Sequence, residues 1–216
     1  CWRGRPPCPL FGRSRWDQDR VGGGGDMNLI IIGAQASGKM TVGQEVERLT
    51  DLVLFHNHES IDFVTKFFPM SDEARELIND IRMKFFETSA KTDLGLIFTV
   101  VIDFNDPADI SFLEQIQAIY LSRNQAVLFI ELETDLQERL RRNVTENRLQ
   151  HKPWKRNIEW SEKDILDTMK FVNFNPEFAP KQLYHYHKIN NTHLTANEVA
   201  LLIIQKMEEL EQEQTK

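Results

Sequence analysis

The stretch "MNLIIIGAQASGKMTVGQE", from Met27 to Glu45, decides the fold that this sequence predicts. It opens with an unbroken apolar run, Leu29–Ile32, which is typical of a strand buried on both faces of a parallel sheet. The run ends at a glycine, and Gly33–Lys39 matches the pattern G-x-x-x-x-G-K. A helix is predicted from Lys39 onward. A strand, a glycine-rich loop and a helix in this order predict a phosphate-binding loop.

The loop residues have the properties that phosphate binding requires. Glycines at both ends, Gly33 and Gly38, allow a tight turn in which successive backbone N–H groups point at a phosphate, and the helix N-terminus adds positive potential. Lys39 can bridge the β- and γ-phosphate oxygens of a nucleotide. A turn without a ligand is the structural alternative. The predicted nucleotide-binding residues are Gly33, Ala34, Gln35, Ala36, Ser37, Gly38, Lys39, Met40 and Thr41.

The residue after the lysine departs from the common pattern, in which a Ser or Thr hydroxyl ligates Mg²⁺. This chain has Met40 there, and the threonine follows one position later, at Thr41. We predict that Thr41 and Asp103 are the metal contacts. Asp103 ends the apolar run Leu96–Phe104, and a carboxylate at the carboxyl end of a central parallel strand faces the ligand crevice. A loop or capping role for Asp103 is the alternative.

Predicted strands and helices alternate along the rest of the chain. Further apolar runs predict strands over residues 51–55, 96–104, 126–132 and 186–190, and a helix is predicted over residues 60–68. Thr134 and Gln137 resemble a capping box that opens another helix. Strands that alternate with helices indicate βαβ units. The predicted fold class is therefore α/β, a three-layer αβα sandwich with a five-stranded parallel sheet.

Composition limits the possible partners and the domain boundaries. The formal net charge is -7, which argues against general binding to nucleic acids or anionic membranes, and no apolar run is long enough for a membrane span. The only cysteines are Cys1 and Cys8, so a disulfide framework is not expected and a cytoplasmic location is favoured. Residues 1–26, rich in Arg, Gly and Pro, predict a disordered tail or a non-native extension, with a transit peptide as the alternative. Residues 27–216 are the predicted domain.

Polar residues follow the predicted second strand. His56, Asn57, His58 and Asp62 are the predicted acceptor-binding residues, because their side chains could bind an acceptor hydroxyl or, for a histidine, act as a general base. A metal site is a weaker alternative, and a helix cap with surface histidines is the structural one.

Further along, cations concentrate between Glu138 and Asp164 in an otherwise acidic chain. They are Arg139, Arg141, Arg142, Arg148, Lys152, Lys155 and Arg156.

The sequence also resembles a known family. Ser37–Thr41, "SGKMT", is similar to the S-G-K-G-T loop of nucleoside monophosphate kinases, with Met40 in place of a glycine. Residues 27–212 resemble the P-loop small-molecule kinases of the adenylate-kinase and shikimate-kinase type. They are most similar to an uncharacterised bacterial shikimate-kinase-like ATPase group, whose lid signature resembles "TENRLQHKPWKRNIEWSEKD", residues 145–164. The resemblance implies a P-loop NTPase fold with a short lid at about residues 144–160, and ATP and Mg²⁺ as cofactors.

The resemblance also implies roles for individual residues. In this family lid arginines close over the phosphates, and we assign Arg142 and Arg148 to that role, so that the predicted catalytic set is Lys39, Asp103, Arg142 and Arg148. Asn191 and Thr192 fall in the family's adenine-contacting loop, although a simple turn is equally compatible. Shikimate kinases carry a Gly-Gly-Gly motif after the third strand, where this chain has "IDFNDP" (102–107), so activity on shikimate is not expected.

The leading hypothesis is therefore an ATP-dependent small-molecule kinase. It would bind nucleotide and a small-molecule acceptor, without nucleic acid, membrane or an obligate protein partner. A nucleotide-binding regulatory protein or ATPase without transferase activity is the alternative, which Met40 and the missing acceptor motifs favour. A kinase that acts on the ends of polynucleotides is a third possibility, which the negative net charge of the chain disfavours.

Overall fold

The protein's structure, a computed structural model, describes residues 27–144 and 158–214. Within them, five strands form one sheet: β1 (Met27–Gly33), β2 (Val53–His56), β3 (Leu96–Val100), β4 (Ala126–Glu133) and β5 (Tyr186–Asn190). All neighbours pair in parallel, in the order β2-β3-β1-β4-β5. The predicted five-stranded parallel sheet is confirmed. The predicted N-terminal tail and most of the predicted lid, residues 145–157, lie outside the described residues.

Helices cover both faces of the sheet. Because side chains alternate between the faces of a strand, β1 contributes to two cores. Leu29 and Ile31 pack on one face with the helices over residues 39–49 and 196–214, whereas Ile30 and Ile32 pack on the other with the helices over residues 72–92 and 107–121. This is the predicted three-layer arrangement. The helices within the described residues are α1 (Lys39–Leu49), α2 (Asn57–Thr65), α3 (Asp72–Thr92), α4 (Pro107–Leu121), α5 (Leu136–Asn143), α6 (Ile158–Thr168) and α7 (Ala196–Gln214).

Three local predictions were wrong, each because polar side chains bind the backbone. The third strand ends at Val100 rather than 104, since the Asp103 carboxylate accepts the N–H of Asn105 and turns the chain. Helix α2 begins at residue 57 rather than 60, because the His56 ring caps it. Thr134 does not cap α5; its hydroxyl instead donates to the carbonyl of Ser37 and to a neighbouring asparagine.

The order of the strands indicates where a ligand crevice lies. β1 lies between β3 and β4, so the chain connections from β1 and β3 leave the sheet on opposite faces. In open parallel sheets, ligands bind where this reversal occurs, outside the carboxyl ends of the strands. The glycine-rich loop after β1 and the polar stretches after β2 and β3 all lie at that edge. Of the helices that the structure describes, none is sufficiently long and apolar to span a bilayer.

Candidate active site

The loop between β1 and α1 has the conformation that a phosphate cradle requires. Gly38 caps α1 in the left-handed region, with a φ of 95°, and Ala36 has a φ of 62° although it carries a Cβ. Glycine adopts this region freely, whereas a residue with a Cβ does so at a cost, so neighbouring groups must hold Ala36 in this conformation. The Lys39 ammonium donates hydrogen bonds of 2.7 Å to the carbonyls of Gly33 and Ala34. The Lys39 side chain therefore lies over the loop, next to the place where it is predicted to contact the phosphates.

Three side chains hold the carbonyl of Ser37. Arg142 Nη1 donates to it at 3.1 Å, Asn191 Nδ2 at 2.8 Å and Thr134 Oγ1 at 3.4 Å. In a trans peptide, the C=O group and the following N–H group point in opposite directions. Fixing the Ser37 carbonyl against these side chains therefore turns the N–H of Gly38 toward the other side of the loop. That orientation is the one that a phosphate cradle needs.

Arg139 holds the carbonyl of Gln35 in the same manner. Its Nε donates to that carbonyl at 2.8 Å, and its Nη2 lies 3.5 Å from Gln35 Oε1. Arg139 is only 3% exposed. The guanidinium carbon lies 5.5 Å from the centre of the Phe174 ring. By the same peptide geometry, Arg139 orients the N–H of Ala36, so two alternate N–H groups of the loop are set by arginines of α5.

The start of the loop has no room for a side chain larger than that of glycine. A Cβ at Gly33 would lie 2.7 Å from Ser37 Oγ and 3.0 Å from the carbonyl oxygen of Leu132. Ser37 Oγ is buried and has no hydrogen-bond partner among the residues that the structure describes. A buried hydroxyl without a partner is destabilising, and phosphate oxygens are strong acceptors. The residues present therefore fit a bound phosphate group.

Arg142 joins α5 to the loop and to the turn after β5. Besides its bond to the loop, its Nη2 donates to the carbonyls of Asn191 at 2.8 Å and Thr192 at 3.3 Å, and its Nε donates to Glu138 Oε1 at 2.7 Å. These contacts fix the guanidinium beside the phosphate loop. Its predicted contact with a phosphate stays a prediction, and Arg148, the other predicted lid arginine, lies outside the described residues.

The structure brings Asn191 and Thr192 to the phosphate loop with both side chains buried. Asn191 Oδ1 accepts from Thr134 Oγ1 at 2.5 Å, while its Nδ2 donates to the loop carbonyl. Thr192 Oγ1 accepts the N–H of Asp135 at 3.0 Å. Both side chains thus support the loop, and the predicted contact with an adenine edge stays a prediction.

Glu138 is the carboxylate that anchors Arg141 and Arg142 of α5. Two hydrogen bonds, the stronger from Arg141 and the weaker from Arg142, lower the pKa of the Glu138 carboxyl to about 2 from an ordinary value of 4.5. The Glu138 side chain is 16% exposed, so the shift is partly screened by water. Because the pKa is lower in the folded chain, Glu138 contributes stability above pH 4.5, and this contribution is lost as the pH falls toward 2.

We therefore expect Glu138→Gln to lower the free energy of unfolding at pH 7 by about 1–2 kcal/mol, below the usual range for a hydrogen bond to a charged group because Arg141 is largely exposed to water. The difference from the unmodified protein should shrink steadily as the pH falls below 4.5. Urea unfolding between pH 7 and pH 3 measures this difference, with Glu177→Gln as the matched control for removing one exposed carboxylate. A difference that stays constant over this range would contradict the assignment.

Asp103 lies in the loop after β3, three residues beyond the end of the strand. Its Oδ1 accepts the N–H groups of Asn105 and Asn173, both at 3.0 Å. The carboxylate therefore shapes this loop, which is the structural role that the sequence left open. Its Oδ2 forms no hydrogen bond within the described ranges 27–144 and 158–214. Metal contacts of Asp103, and of Thr41 in the first turn of α1, stay predictions.

The predicted acceptor residues lie directly after β2. His56 Nδ1 accepts the N–H of His58 at 3.0 Å, and the two rings lie 5.3 Å apart. Asn57 contacts an arginine of α3, whereas Asp62 is exposed on α2. The structure thus gathers His56, Asn57 and His58 at the sheet edge and leaves Asp62 toward solvent. No group of three or more His, Cys, Asp or Glu side chains that could hold a metal ion occurs in the described part of the chain.

Arg82 of α3, which the sequence analysis did not select, lies at the same edge. Its Nε donates to Ser60 Oγ at 2.9 Å and its Nη1 to Asn79 Oδ1 at 3.3 Å. Its Nη2 bonds the carbonyl of Asn57 at 3.5 Å and also the side-chain oxygen of that residue. The guanidinium carbon lies 6.0 Å from the centre of the Phe98 ring. Burial lowers the pKa of Arg82 to about 10, so it remains charged at neutral pH.

All of these hydrogen-bond partners of Arg82 are neutral. No carboxylate of residues 27–144 or 158–214 forms an ion pair with it. A half-buried charge without a counterion is costly, and a bound anion would offset that cost. Arg82 lies beside β2 and β3, so it is separated from the loop after β1 by up to two strand spacings, ~10 Å.

Comparisons with known proteins give the fold but no family assignment. No protein-family model matches this chain, and no curated protein matches it either. A gluconokinase from Sinorhizobium meliloti 1021 matches with a TM-score of 0.53 and 12% identity, over 86% of this chain and 93% of that chain. A shikimate kinase from Acinetobacter baumannii, in complex with shikimate, matches with a TM-score of 0.50 and 16% identity, over 84% and 93%.

The Mycobacterium tuberculosis APS kinase CysC, in complex with AMPPNP and APS, also matches, with a TM-score of 0.50 and 12% identity over 85% of this chain and 98% of that chain. The fold of this protein is therefore that of the P-loop small-molecule kinases, and the resemblance found in the sequence is confirmed at the level of the fold. At these identities the comparison shows the fold alone. The closer similarity to the bacterial ATPase group stays a prediction.

Proposed function

We propose that this protein is an ATP-dependent phosphotransferase that moves the γ-phosphoryl group of ATP to a small-molecule acceptor with an anionic group. The observation that carries this proposal is the preset loop. Arginines of α5 hold the carbonyls of Gln35 and Ser37, so that the N–H groups of Ala36 and Gly38 are oriented before any ligand binds. With Lys39, such a loop would bind the β- and γ-phosphates at little cost in reorganisation.

Magnesium fits the residues at the same edge of the sheet. Mg²⁺ in phosphotransferases is held largely by phosphate oxygens and water, with one or two protein oxygens. Thr41 Oγ1 and Asp103 Oδ2 would be these protein donors, and Met40 would contribute none. When bound, the ion screens the negative charge of the phosphates.

Arg82 supports the anionic character of the acceptor. Its guanidinium is positively charged, half-buried and hydrogen-bonded to neutral groups. A carboxylate or phosphate of the acceptor would supply the missing counter-charge and could bond the one Nη1 N–H that the contacts with Ser60, Asn79 and Asn57 leave. Asn57 would then have two roles: it would orient the Arg82 guanidinium, and it would still contact the acceptor hydroxyl. His56 and His58 would line the same side of the acceptor.

The transfer itself needs few groups. The acceptor oxygen forms a bond to the γ-phosphorus as the bridging bond to ADP breaks, and the hydroxyl proton passes to a neighbouring base. Glu59, in the first turn of α2 directly after the predicted acceptor histidines, is a candidate for that base. Desolvation, followed by the charge of Glu47, raises the pKa of its carboxyl, and the residue is exposed enough to release the proton to water. We also propose that the protein acts in the cytoplasm without an obligate protein partner.

ATP turnover tests the proposal directly. We expect purified protein with ATP and Mg²⁺ to show a low basal rate that rises with at least one member of a panel of hydroxylated carboxylates and phosphorylated metabolites. Neutral counterparts of the same compounds should give little increase. Nucleotide binding without turnover for any panel member would instead support a regulatory nucleotide-binding protein, which Met40 favours. Stimulation by neutral compounds alone would contradict the anionic acceptor.

A further inference from the structure

The residues that follow α6 connect the site to three strands of the sheet. This stretch, Asn173–Pro176, is named here the 173–176 segment. The N–H of Asn173 donates to Asp103, and its carbonyl accepts the N–H of Phe104 at 2.9 Å, so the segment is tied to the loop after β3. The carbonyl of Pro176 accepts from Lys188 Nζ of β5 at 2.6 Å. A segment fixed at both ends is a stable platform for the residues between them.

A buried carboxylate fixes the middle of the segment. Glu131 of β4 is fully buried, and its Oε1 accepts from Asn175 Nδ2 at 2.6 Å. The other oxygen accepts from the Tyr186 hydroxyl, and Lys188 Nζ lies 3.2 Å from Oε1. Buried polar groups that are bonded on all sides rigidify the backbone that they hold. Asn175 therefore fixes the position of the residue before it, Phe174.

Phe174 meets Arg139 across this platform. The Phe174 side chain is 6% exposed, and the Arg139 guanidinium carbon lies 5.5 Å from its ring centre. Guanidinium groups at this distance are attracted to the face of an aromatic ring, most strongly where water is excluded. The same guanidinium donates to the carbonyl of Gln35 at 2.8 Å. Ala36 follows with its strained φ of 62°, which persists only where neighbouring groups hold it.

We infer that Phe174 is a positioning residue for the phosphates of the nucleotide. Its ring fixes the Arg139 guanidinium, which holds the Gln35 carbonyl, and this bond aims the N–H of Ala36 into the phosphate cradle. Phe174 itself touches no ligand in this account. The inference rests on the nucleotide binding of the proposed function, but not on phosphoryl transfer or on the nature of the acceptor.

A double-mutant cycle on the full chain tests this inference. The dissociation constant of a non-hydrolysable ATP analogue with Mg²⁺ is measured by calorimetry for the unmodified protein, Phe174→Leu, Arg139→Met and the double variant. We expect Phe174→Leu to weaken binding about tenfold, the scale of one desolvated cation–π contact. In the Arg139→Met background, the same change should have no further effect, because Phe174 acts through Arg139.

Two further variants separate positioning from general damage. Phe174→Tyr keeps the aromatic face and should bind the analogue like the unmodified protein. Phe178→Leu alters an exposed phenylalanine between α6 and β5 and should change nothing. Thermal unfolding confirms that each variant folds, and Phe174→Met replaces Phe174→Leu in the cycle if the latter does not.

Additive effects of Phe174→Leu and Arg139→Met would overturn the inference, and so would weak binding by Phe174→Tyr. Both results would leave the proposed function standing, because the unmodified protein would still bind the analogue. Failure of the unmodified protein to bind it would overturn both the proposed function and the inference.

Discussion

Replacing Lys39 by methionine is expected to weaken ATP binding roughly a hundredfold, because it removes a charged donor worth about 1.5–3 kcal/mol for each phosphate contact. Acceptor-stimulated turnover should fall further, by about a thousandfold, since the lysine also stabilises charge that develops on the transferred group. In the structure the Lys39 ammonium already lies in the loop, 2.7 Å from the carbonyls of Gly33 and Ala34. It needs only a side-chain rotation to exchange these carbonyls for phosphate oxygens.

Calorimetry with an ATP analogue and a coupled assay of ADP release measure the two effects of Lys39→Met separately. Lys91→Met on α3 is the matched control, because its ammonium is largely exposed and distant in sequence from the loop. The control should bind and turn over ATP like the unmodified protein. If Lys39→Met kept its affinity for ATP, the loop would not be the nucleotide site, and neither a kinase nor a regulatory nucleotide-binding protein would fit this chain.

The fold follows from local sequence patterns, which is why it could be predicted. The apolar run Leu29–Ile32 has no polar interruption, so only a strand buried on both faces accommodates it. The caps at Ser71 and Thr195 begin α3 and α7 as their residue types predict, since each hydroxyl accepts an N–H of the first turn. Where turn formers cluster, as after Val100, the same reasoning placed the end of the strand too late.

The site was harder to predict because its residues act through tertiary contacts. Arg139 and Arg142 are three positions apart, so they share one face of α5, but a charged helix explains that spacing equally well. Their function depends on which backbone carbonyls they meet, and the sequence does not contain that information. The role of Asn191 could not be predicted from the sequence for the same reason. Its side-chain amide bonds the carbonyl of Ser37, which lies 154 residues away in the sequence.

Arg82 did leave a signal in the sequence. It lies four residues after Ile78 and four before Phe86, and both of these side chains are buried in the structure. Residues four apart share a helix face, so an arginine between two buried apolar positions is expected to face inward. A charged group at such a position is unfavourable unless polar groups surround it. In the structure Arg82 has such partners beside β2 and β3, where it bonds Ser60, Asn79 and Asn57. The pattern therefore indicates an inward-facing arginine, but it does not identify the groups that this arginine contacts.

Replacing Arg82 by glutamine is expected to raise the KM for an anionic acceptor roughly a hundredfold, because the acceptor loses a partly buried, charge-assisted partner. Affinity for the ATP analogue should change little, since Arg82 lies beside β2 and β3 rather than at the loop after β1. The KM of Arg82→Lys should lie between those of the unmodified protein and Arg82→Gln, because an ammonium keeps the positive charge but cannot keep the guanidinium's contacts with Ser60, Asn79 and Asn57. Initial rates at saturating ATP, with the anionic compound that gives the strongest stimulation, measure these effects.

The matched control for Arg82→Gln is Arg75→Gln, an exposed arginine on the same helix, which should leave both constants unchanged. An equal loss of affinity for ATP and for the acceptor would indicate damage to the fold rather than loss of a binding group. An unchanged KM for the anionic acceptor would contradict the assignment of Arg82. A rise in KM for the anionic acceptor, with little change for its neutral counterpart, is the result that only a direct charge contact explains. This outcome would support the proposal that the acceptor supplies the counter-charge of Arg82, whose hydrogen-bond partners in the described part of the chain are neutral.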